Sequence, residues 1–121
     1  MKSSDYRDLL VWQKAMDLTV EIYSIVKLLP RDETYALCDQ MRRAAVSIPS
    51  NIAEGQGRES SKEFVRFLSV ARGSLRELST QLEICERLHY VNKSVTLLSR
   101  ALITEVDKMI TSLATKLKTD N

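Results

Sequence analysis

The segment QMRRAAVSIPSNIAEGQG, residues Gln40 to Gly57, decides the fold that this sequence predicts. Its apolar residues recur at helical spacing, yet Pro49 stands where the helix should continue. A proline inside a helix removes one backbone hydrogen bond and clashes with the carbonyl four residues back, here that of Ala45, at a cost of about 3 kcal/mol. A chain that keeps such a residue needs the bend to pack helices or to present a surface. We therefore predict a second helix that is kinked at Pro49.

The composition is typical of one soluble globular domain. The chain has 121 residues, of which 44% are hydrophobic and 28% are charged. Three glycines and two prolines leave little material for turns, so few and long elements are expected. Apolar residues do not alternate as they do in strands. The sequence therefore predicts an all-α protein that forms a single domain over residues 1–121.

Four segments show helical periodicity, over about residues 6–28, 33–55, 61–89 and 94–118. Connections of about two to six residues favour antiparallel neighbours. The predicted architecture is an antiparallel, up-down-up-down four-helix bundle. Residues suited to helix ends support these bounds. They are Asp32 before the second helix, Gly55 and Gly57 after it, Ser60 with Glu63 as a capping box before the third helix, and Ser94 before the fourth.

The sequence gives no sign of a membrane or secreted protein. No run of about 18 apolar residues is present, and the N-terminal residues MKSSDYRDLL lack the pattern of a signal peptide. We expect a cytoplasmic protein in which Cys38 and Cys85 are buried free thiols. The sequence indicates no metal site, because His89, the only histidine, has no metal-type ligand at a suitable spacing. It also indicates no cofactor and no small-molecule substrate.

Positive charge is concentrated in the middle of the chain, although the net charge is only +2. Residues 42–76 contain seven basic and three acidic residues. Four of the seven share an arc of roughly 120° on the third helix, opposite its apolar face. This stripe is either the solvated exterior that a long helix needs or a surface that neutralises nucleic-acid phosphates. The candidate nucleic-acid-binding residues are Arg42, Arg43, Arg58, Lys62, Arg66, Arg72 and Arg76.

The second helix also carries a polar face. Ser47, Ser50 and Asn51 could donate a hydrogen bond to the carbonyl that Pro49 leaves without a donor. Arg42 lies nearer the core, where it could pair with a carboxylate of its own bundle or of a neighbouring subunit. Trp12 and Tyr23 recur at helical spacing in the first helix and are expected in the core or between helices.

Three strings resemble a family of bacterial four-helix-bundle proteins that was first named for open reading frames in intervening sequences of 23S ribosomal RNA genes. They are LLVWQKAM at Leu9–Met16, QMRRAAVSIPSNIAEG at Gln40–Gly55 and FVRFLSVARGSLRELSTQL at Phe64–Leu82. The resemblance covers roughly residues 8–115. The positions that match the family pattern are Trp12, Arg42, Arg43, Ser47, Pro49, Asn51, Glu54, Gly55, Arg58, Arg66, Gly73, Ser74 and Glu77.

The resemblance implies a left-handed antiparallel bundle that assembles as a ring-like homopentamer, and it implies no established activity. A related branch is similar to the accessory variability proteins of diversity-generating retroelements. For those proteins, a basic surface that engages nucleic acid and a reverse transcriptase is expected.

These observations lead to three hypotheses about function. The first is a non-enzymatic, oligomeric bundle that binds the backbone of RNA or DNA through its basic surface. The second is a protein-interaction adaptor whose arginines pair with carboxylates such as Glu54, Glu59, Glu63 and Glu77. The third is an enzyme with a site assembled between subunits around His89 or Glu54, although no catalytic motif is present.

Overall fold

The computed structural model describes residues 5–120, and these residues form helices joined by short connections, with no strand among them. The prediction of an all-α protein is confirmed. The long helices are α1 (Leu10–Val26), α2 (Leu37–Gln56), α3 (Ser61–Arg87) and α4 (Lys93–Thr119), and two short 3-10 helices cover Tyr6–Asp8 and Arg31–Glu33.

The four long helices form a bundle. Helix α1 packs on α2, α2 on α3, α3 on α4, and α4 on α1, which closes a ring of contacts. Neighbouring helices run in opposite directions. On α3 and α4, Arg72 contacts Asp107, whereas Glu86, further along α3, contacts Thr96 near the start of α4. The same reversal joins α1 to α2 and α2 to α3.

The apolar faces of all four helices meet in one core. Leu18, Ile48, Leu78 and Val106, one from each helix, are fully shielded from solvent. Both cysteines are buried and free, as the sequence predicts. No helix within residues 5–120 has the length and hydrophobicity needed to cross a membrane.

Helix α2 continues through Pro49, which lies on its buried face. The carbonyl of Ala45, which Pro49 leaves without its helical donor, lies 3.1 Å from Oγ1 of Thr19 on α1. The same hydroxyl lies 2.9 Å from the carbonyl of Ala15 in its own helix. The neighbouring helix therefore supplies the missing donor, while the kink itself stays a prediction.

The expectation that Ser47, Ser50 or Asn51 supplies this donor is wrong. Nδ2 of Asn51 donates instead to the carbonyl of Ser47, at 2.8 Å, and lies 3.0 Å from the Ser47 hydroxyl. The physical reason is orientation. The carbonyl freed by Pro49 faces the core and α1, whereas Asn51 lies on the side of α2 that faces α3.

Helix α2 begins later than predicted, and Asp32 does not cap it. Asp32 lies in the short 3-10 helix, and the residue at the N-cap of α2 is Ala36, which makes no side-chain cap. Glu33 takes over this role, because its Oε1 accepts a hydrogen bond from the backbone N–H of Leu37 at 3.3 Å.

Helix α3 starts as predicted, and α4 does not. Oγ of Ser60 accepts from the backbone N–H of Glu63 at 3.1 Å. At α4 the cap is Asn92 rather than Ser94, since the Asn92 side chain accepts from the N–H of Val95 at 3.2 Å. Ser94 instead donates its hydroxyl to the Asn92 side chain.

Gly55 has a packing role rather than the predicted role in ending α2. It lies inside α2 and is buried against α3, where a Cβ atom would come within 2.8 Å of both Cδ1 of Phe64 and Cβ of Phe67. Gly57 occupies the C-cap with φ −77°, which any residue adopts. Gly73, on the exposed side of α3, has open space within 4 Å of an added Cβ.

We expect Gly55→Ala to destabilise the protein by about 1–3 kcal/mol, because an added methyl group overpacks the α2–α3 contact. The matched control is Gly73→Ala, which adds the same methyl group where there is room. That control should stabilise the protein by up to about 1 kcal/mol, since alanine favours a helix over glycine. Urea denaturation measures both values, and equal effects of the two substitutions would contradict the close packing at Gly55.

We expect Thr19→Val to destabilise the fold by about 1–3 kcal/mol, because it leaves the Ala45 carbonyl without a donor. In a Pro49→Ala background, residue 49 regains an N–H for that carbonyl, so the same change should cost less. A double-mutant cycle followed by chemical denaturation measures the difference. An identical cost in both backgrounds would show that Thr19 does not compensate for Pro49.

Candidate nucleic-acid interface

The two candidate arginines on α2 share one carboxylate. Nη2 of Arg43 lies 3.6 Å from Oδ2 of Asp39, and Nη2 of Arg42 lies 3.9 Å from Oδ1. Arg43 is otherwise open to solvent, with 80% of its side chain exposed. Arg42 is less exposed, and its Nη2 also donates to the carbonyl of Thr34 at 3.3 Å. Of the two alternatives left open for Arg42, the chain's own bundle provides a carboxylate.

Arg58 and Arg66 both lie over one aromatic ring, that of Phe67. Their guanidinium carbons are 5.0 and 4.7 Å from the centroid of Phe67. Arg58 pairs with Glu54 at 2.7 Å, and Arg66 donates to both carboxylate oxygens of Glu63, at 3.0 and 3.3 Å. The hydrogen bond from Arg66 lowers the pKa of Glu63, and in return it raises the pKa of the guanidinium. The positive charge of each arginine is therefore partly neutralised by its own glutamate.

Arg72 is turned toward α4. Its Nε donates to Oδ1 of Asp107 at 2.9 Å, and both side chains are a little over one third exposed. This ion pair joins α3 to α4. Arg72 consequently adds little net positive charge to the surface.

Lys62 and Arg76 differ from the other five candidates. Both are exposed, and among residues 5–120 neither has a carboxylate oxygen within 4.0 Å. Each faces a lysine of α4 across a shallow depression between the helices. Lys62 and Lys118 line one depression of about 290 Å³, and Arg76 and Lys108 line another of about 230 Å³.

We name these four residues, Lys62, Arg76, Lys108 and Lys118, the α3–α4 basic groove. Lys62 and Arg76 lie 14 residues apart on α3, which corresponds to about 21 Å along the helix axis, and Lys108 and Lys118 lie 10 residues apart on α4, which corresponds to about 15 Å. No carboxylate oxygen lies within 4.0 Å of Lys108 or Lys118 in the part of the chain that the structure describes. The sequence analysis did not predict Lys108 and Lys118 as part of this surface, because it considered only the concentration of charge within residues 42–76. The antiparallel pairing of the third and fourth helices was the signal that could have found them.

The remaining motif residues hold α2 against α3 or pack elsewhere in the fold. Oγ of Ser74 donates to Oγ of Ser47 at 2.9 Å, which places a hydrogen bond across the α2–α3 contact. Trp12 is half-buried and meets the ring of Tyr6 edge-on, with centroids 5.2 Å apart. The positions of Pro49, Asn51, Glu54, Gly55 and Gly73 are described above. These contacts indicate structural roles.

One side of the bundle exposes apolar side chains. Met16, Val20 and Tyr23 on α1 and Val46 on α2 are 39%, 65%, 41% and 42% exposed. We name these four residues the α1–α2 apolar face. Tyr23 does not belong to the core, because it is 41% exposed, but it lies between helices as the alternative expectation had it, since it lines a depression with Val46 and Ser47 of α2. Trp12, in contrast, packs against the core.

His89 lines a pocket of about 640 Å³ together with Glu86 and Tyr90. The carboxylate of Glu86 is held by Thr96 and Arg100. Tyr90 donates its hydroxyl to Glu33, so neither group is free to act with the imidazole. His89 is exposed in the α3–α4 connection, with φ 61°. Burial raises the pKa of the Cys38 thiol and raises that of Cys85 to about 11, so neither is a ready nucleophile. Within residues 5–120, no group of three or more histidine, cysteine or acidic side chains is placed to hold a metal ion.

Comparison with known proteins identifies the family. No curated protein matches the chain. A solved structure, described as a protein with unknown function from the S23 ribosomal protein family of Bacteroides thetaiotaomicron, superposes with a TM-score of 0.80 over 87% of this chain and 98% of that chain. The two sequences are 24% identical, so this likeness concerns the fold. The family model for the 23S rRNA-intervening sequence protein matches residues 7–112. The chain therefore belongs to the 23S rRNA-intervening sequence protein family.

Proposed function

We propose that this protein is a non-enzymatic, oligomeric four-helix bundle that binds the phosphate backbone of nucleic acid along the α3–α4 basic groove. One observation carries the proposal. The four cations of the groove have no carboxylate oxygen within 4.0 Å among the described residues, and the carboxylate that lines one of the two depressions, Asp107, is paired with Arg72, so their charge is available to a polyanion. Lysine and arginine neutralise phosphates regardless of base sequence.

The chemistry of the groove favours contact with phosphates over contact with bases. Besides the four cations, its two depressions are lined by the hydroxyl groups of Ser61, Ser79 and Thr104 and by aliphatic side chains, with no aromatic residue among them. One carboxylate, that of Asp107, also lines the depression of Arg76 and Lys108, where Arg72 holds it at 2.9 Å. Single-strand binding through bases uses aromatic side chains as stacking platforms. We therefore expect binding that tolerates sequence changes and weakens steeply with salt, for both RNA and DNA.

The paired arginines have a smaller part in this proposal than their number suggests. A phosphate that approached Arg58 or Arg66 would have to compete with Glu54 or Glu63, at 2.7 and 3.0 Å. Surface ion pairs of this kind are weak, about 0–1 kcal/mol, so competition is feasible but gains little. The four unpaired cations supply the steering field, and the arginines are secondary contacts.

Oligomerisation strengthens the proposal. Four cations per chain give weak binding alone, whereas several copies of the groove in one assembly give avidity through linked contacts. The homopentamer implied by the family resemblance would carry five grooves. Non-enzymatic binding also agrees with the raised pKa values of the two thiols.

The deciding experiment compares two sets of four charge-removing substitutions. The groove variant is Lys62→Gln, Arg76→Gln, Lys108→Gln and Lys118→Gln. The matched control is Arg43→Gln, Arg58→Gln, Arg66→Gln and Arg87→Gln, which removes the same charge from arginines that each have a carboxylate beside them.

By fluorescence anisotropy with labelled RNA and DNA at about 100 mM salt, the groove variant should bind at least about tenfold more weakly, because phosphate contacts dominate affinity. The control should change affinity by less than about threefold, and the slope of log K against log salt should flatten only in the groove variant. Equal losses in both variants would contradict the groove, and no affinity of the wild-type protein at low salt would overturn nucleic-acid binding.

The α1–α2 apolar face favours a second candidate function, that of a protein-interaction adaptor. Val20 is 65% exposed, and it lies beside other exposed apolar side chains. Contiguous apolar surface on a water-exposed side commonly marks a protein contact. In this proposal the arginine pairs are ordinary surface features, and the protein retains no nucleic acid.

We expect Val20→Lys combined with Val46→Lys to lower the molar mass that light scattering reports for the wild-type oligomer, because two charges would be buried in the contact. The matched control is Val70→Lys, which places a charge at a 46% exposed valine on α3 and should leave the mass unchanged. Recording the ratio of absorbance at 260 and 280 nm in the same run shows whether nucleic acid is retained. An unchanged mass in the double variant would exclude this face from the oligomer.

A further inference from the structure

A second cationic site lies away from the α3–α4 basic groove, at the end of the bundle where α1 turns into α2. A pocket of about 340 Å³ opens there. Three cationic side chains line it, and they come from three successive elements: Lys27 at the C-cap of α1, Arg31 in the 3-10 helix, and Arg42 on α2. None of the groove residues takes part.

The positive charge of this pocket is only weakly compensated. Lys27 and Arg31 have no carboxylate oxygen within 4.0 Å among residues 5–120. The carboxylate nearest to Arg42 is Asp39 at 3.9 Å, and Arg43 approaches the same group more closely, at 3.6 Å.

The nearby carboxylate of Glu33 is already engaged elsewhere. Its Oε2 accepts the hydroxyl of Tyr90 at 2.7 Å, and its Oε1 accepts the N–H of Leu37 at 3.3 Å. Glu33 is also not among the side chains that line the pocket. The pocket therefore offers three cations to a ligand and no competing anion in its wall.

The guanidinium of Arg42 is held in place with donors to spare. Both of its contacts, to the carbonyl of Thr34 at 3.3 Å and to Asp39, are made by Nη2. Nε and Nη1 make no polar contact within the described residues, so they retain N–H groups for a ligand. Nε and Nη1 lie on different sides of the guanidinium, so each can donate one charge-assisted hydrogen bond to an anion.

The floor of the pocket is uncharged. Cys38 forms part of it, and its thiol lies 3.6 Å from the carbonyl of Val26, to which it donates. Burial raises the pKa of this thiol, so it stays protonated and does not repel an anion. The volume falls at the small end of the range for ligand sites, which is larger than a bare phosphate ion needs.

We propose that the pocket lined by Lys27, Arg31 and Arg42 binds a phosphate monoester through its dianionic phosphate group. Three cations from three elements match a doubly charged group, and the remaining volume accommodates part of the group that the phosphate esterifies. This pocket shares no residue with the α3–α4 basic groove, so the proposal for the pocket does not depend on nucleic-acid binding by the groove.

A purely structural role is the competing explanation. The carbonyl oxygens at the C-terminus of α1 carry partial negative charge, which nearby cations stabilise. In that case Lys27→Gln and Arg31→Gln would lower the melting temperature without any dependence on phosphate. Both residues are exposed, so neither substitution threatens folding.

The test is calorimetric titration of the full chain with inorganic phosphate, at an ionic strength held constant with sodium chloride. Saturable binding is expected, and Arg31→Gln or Arg42→Gln should weaken it by about tenfold or more, because each removes a charged hydrogen-bond donor. The matched control is Arg58→Gln, which removes a charge outside the pocket whose partner Glu54 contacts none of the pocket cations, and it should change the affinity by less than twofold. Absence of saturable binding, or equal effects of all three substitutions, would overturn the proposal.

Two further arms identify the source of the phosphate group, and both use the groove variant so that loss of backbone binding does not interfere. Adenosine 5′-monophosphate should bind and adenosine should not. An oligonucleotide with a 5′-phosphate should bind more tightly than the same strand with a 5′-hydroxyl if the pocket holds nucleic-acid ends. Binding of the mononucleotide alone assigns the pocket to free nucleotides, and failure of every phosphorylated probe overturns the proposal.

Discussion

The close approach of α2 to α3 is the constraint on which the rest of the structure depends. Gly55 sits where no larger residue fits without displacing Phe64 or Phe67, and further along the same contact Ser74 donates to Ser47. The connection that follows α2 is short, so this contact also fixes where α3 begins. Once α2 and α3 are in register, their arginines and glutamates have fixed neighbours. Packing in the core thereby determines the electrostatics of the surface.

This coupling explains why the richest basic segment of the sequence is not the most available positive surface. Arg58, just after the end of α2, and Arg66 on α3 both lie over Phe67 because of the α2–α3 register, and each also meets a glutamate four or three residues before it in the chain. Pairs at this spacing face each other on a helix, so they neutralise charge locally. Lys62 and Arg76 form no such pair: each faces a lysine of α4 across the groove, and the one carboxylate among the described residues that line it, Asp107, is paired with Arg72.

The sequence predicts the architecture well because helical periodicity and short connections leave few alternatives. The Ser60 cap is also local, so it was predictable. The role of Thr19 was not predictable, because this residue lies on another helix, 26 residues before the Ala45 carbonyl that it contacts. The two lysines that α4 contributes to the basic groove were not predicted for the same reason. Lys108 and Lys118 come close to Arg76 and Lys62 only through the tertiary pairing of two helices. Local rules describe helices and their ends, whereas sites shared between helices need the packing.

The ring of helix contacts places the two proposed working surfaces on opposite sides of the bundle. The pair α1 and α2 exposes the apolar face, and the pair α3 and α4 carries the basic groove. If subunits meet through the apolar face, their grooves stay open to solvent, so oligomerisation and backbone binding do not compete for surface. If subunits meet instead through the groove, its lysines would be buried against a partner without local carboxylates, which is costly unless that partner supplies them. The partition of charge and hydrophobicity between the two sides therefore favours an assembly that leaves the groove exposed.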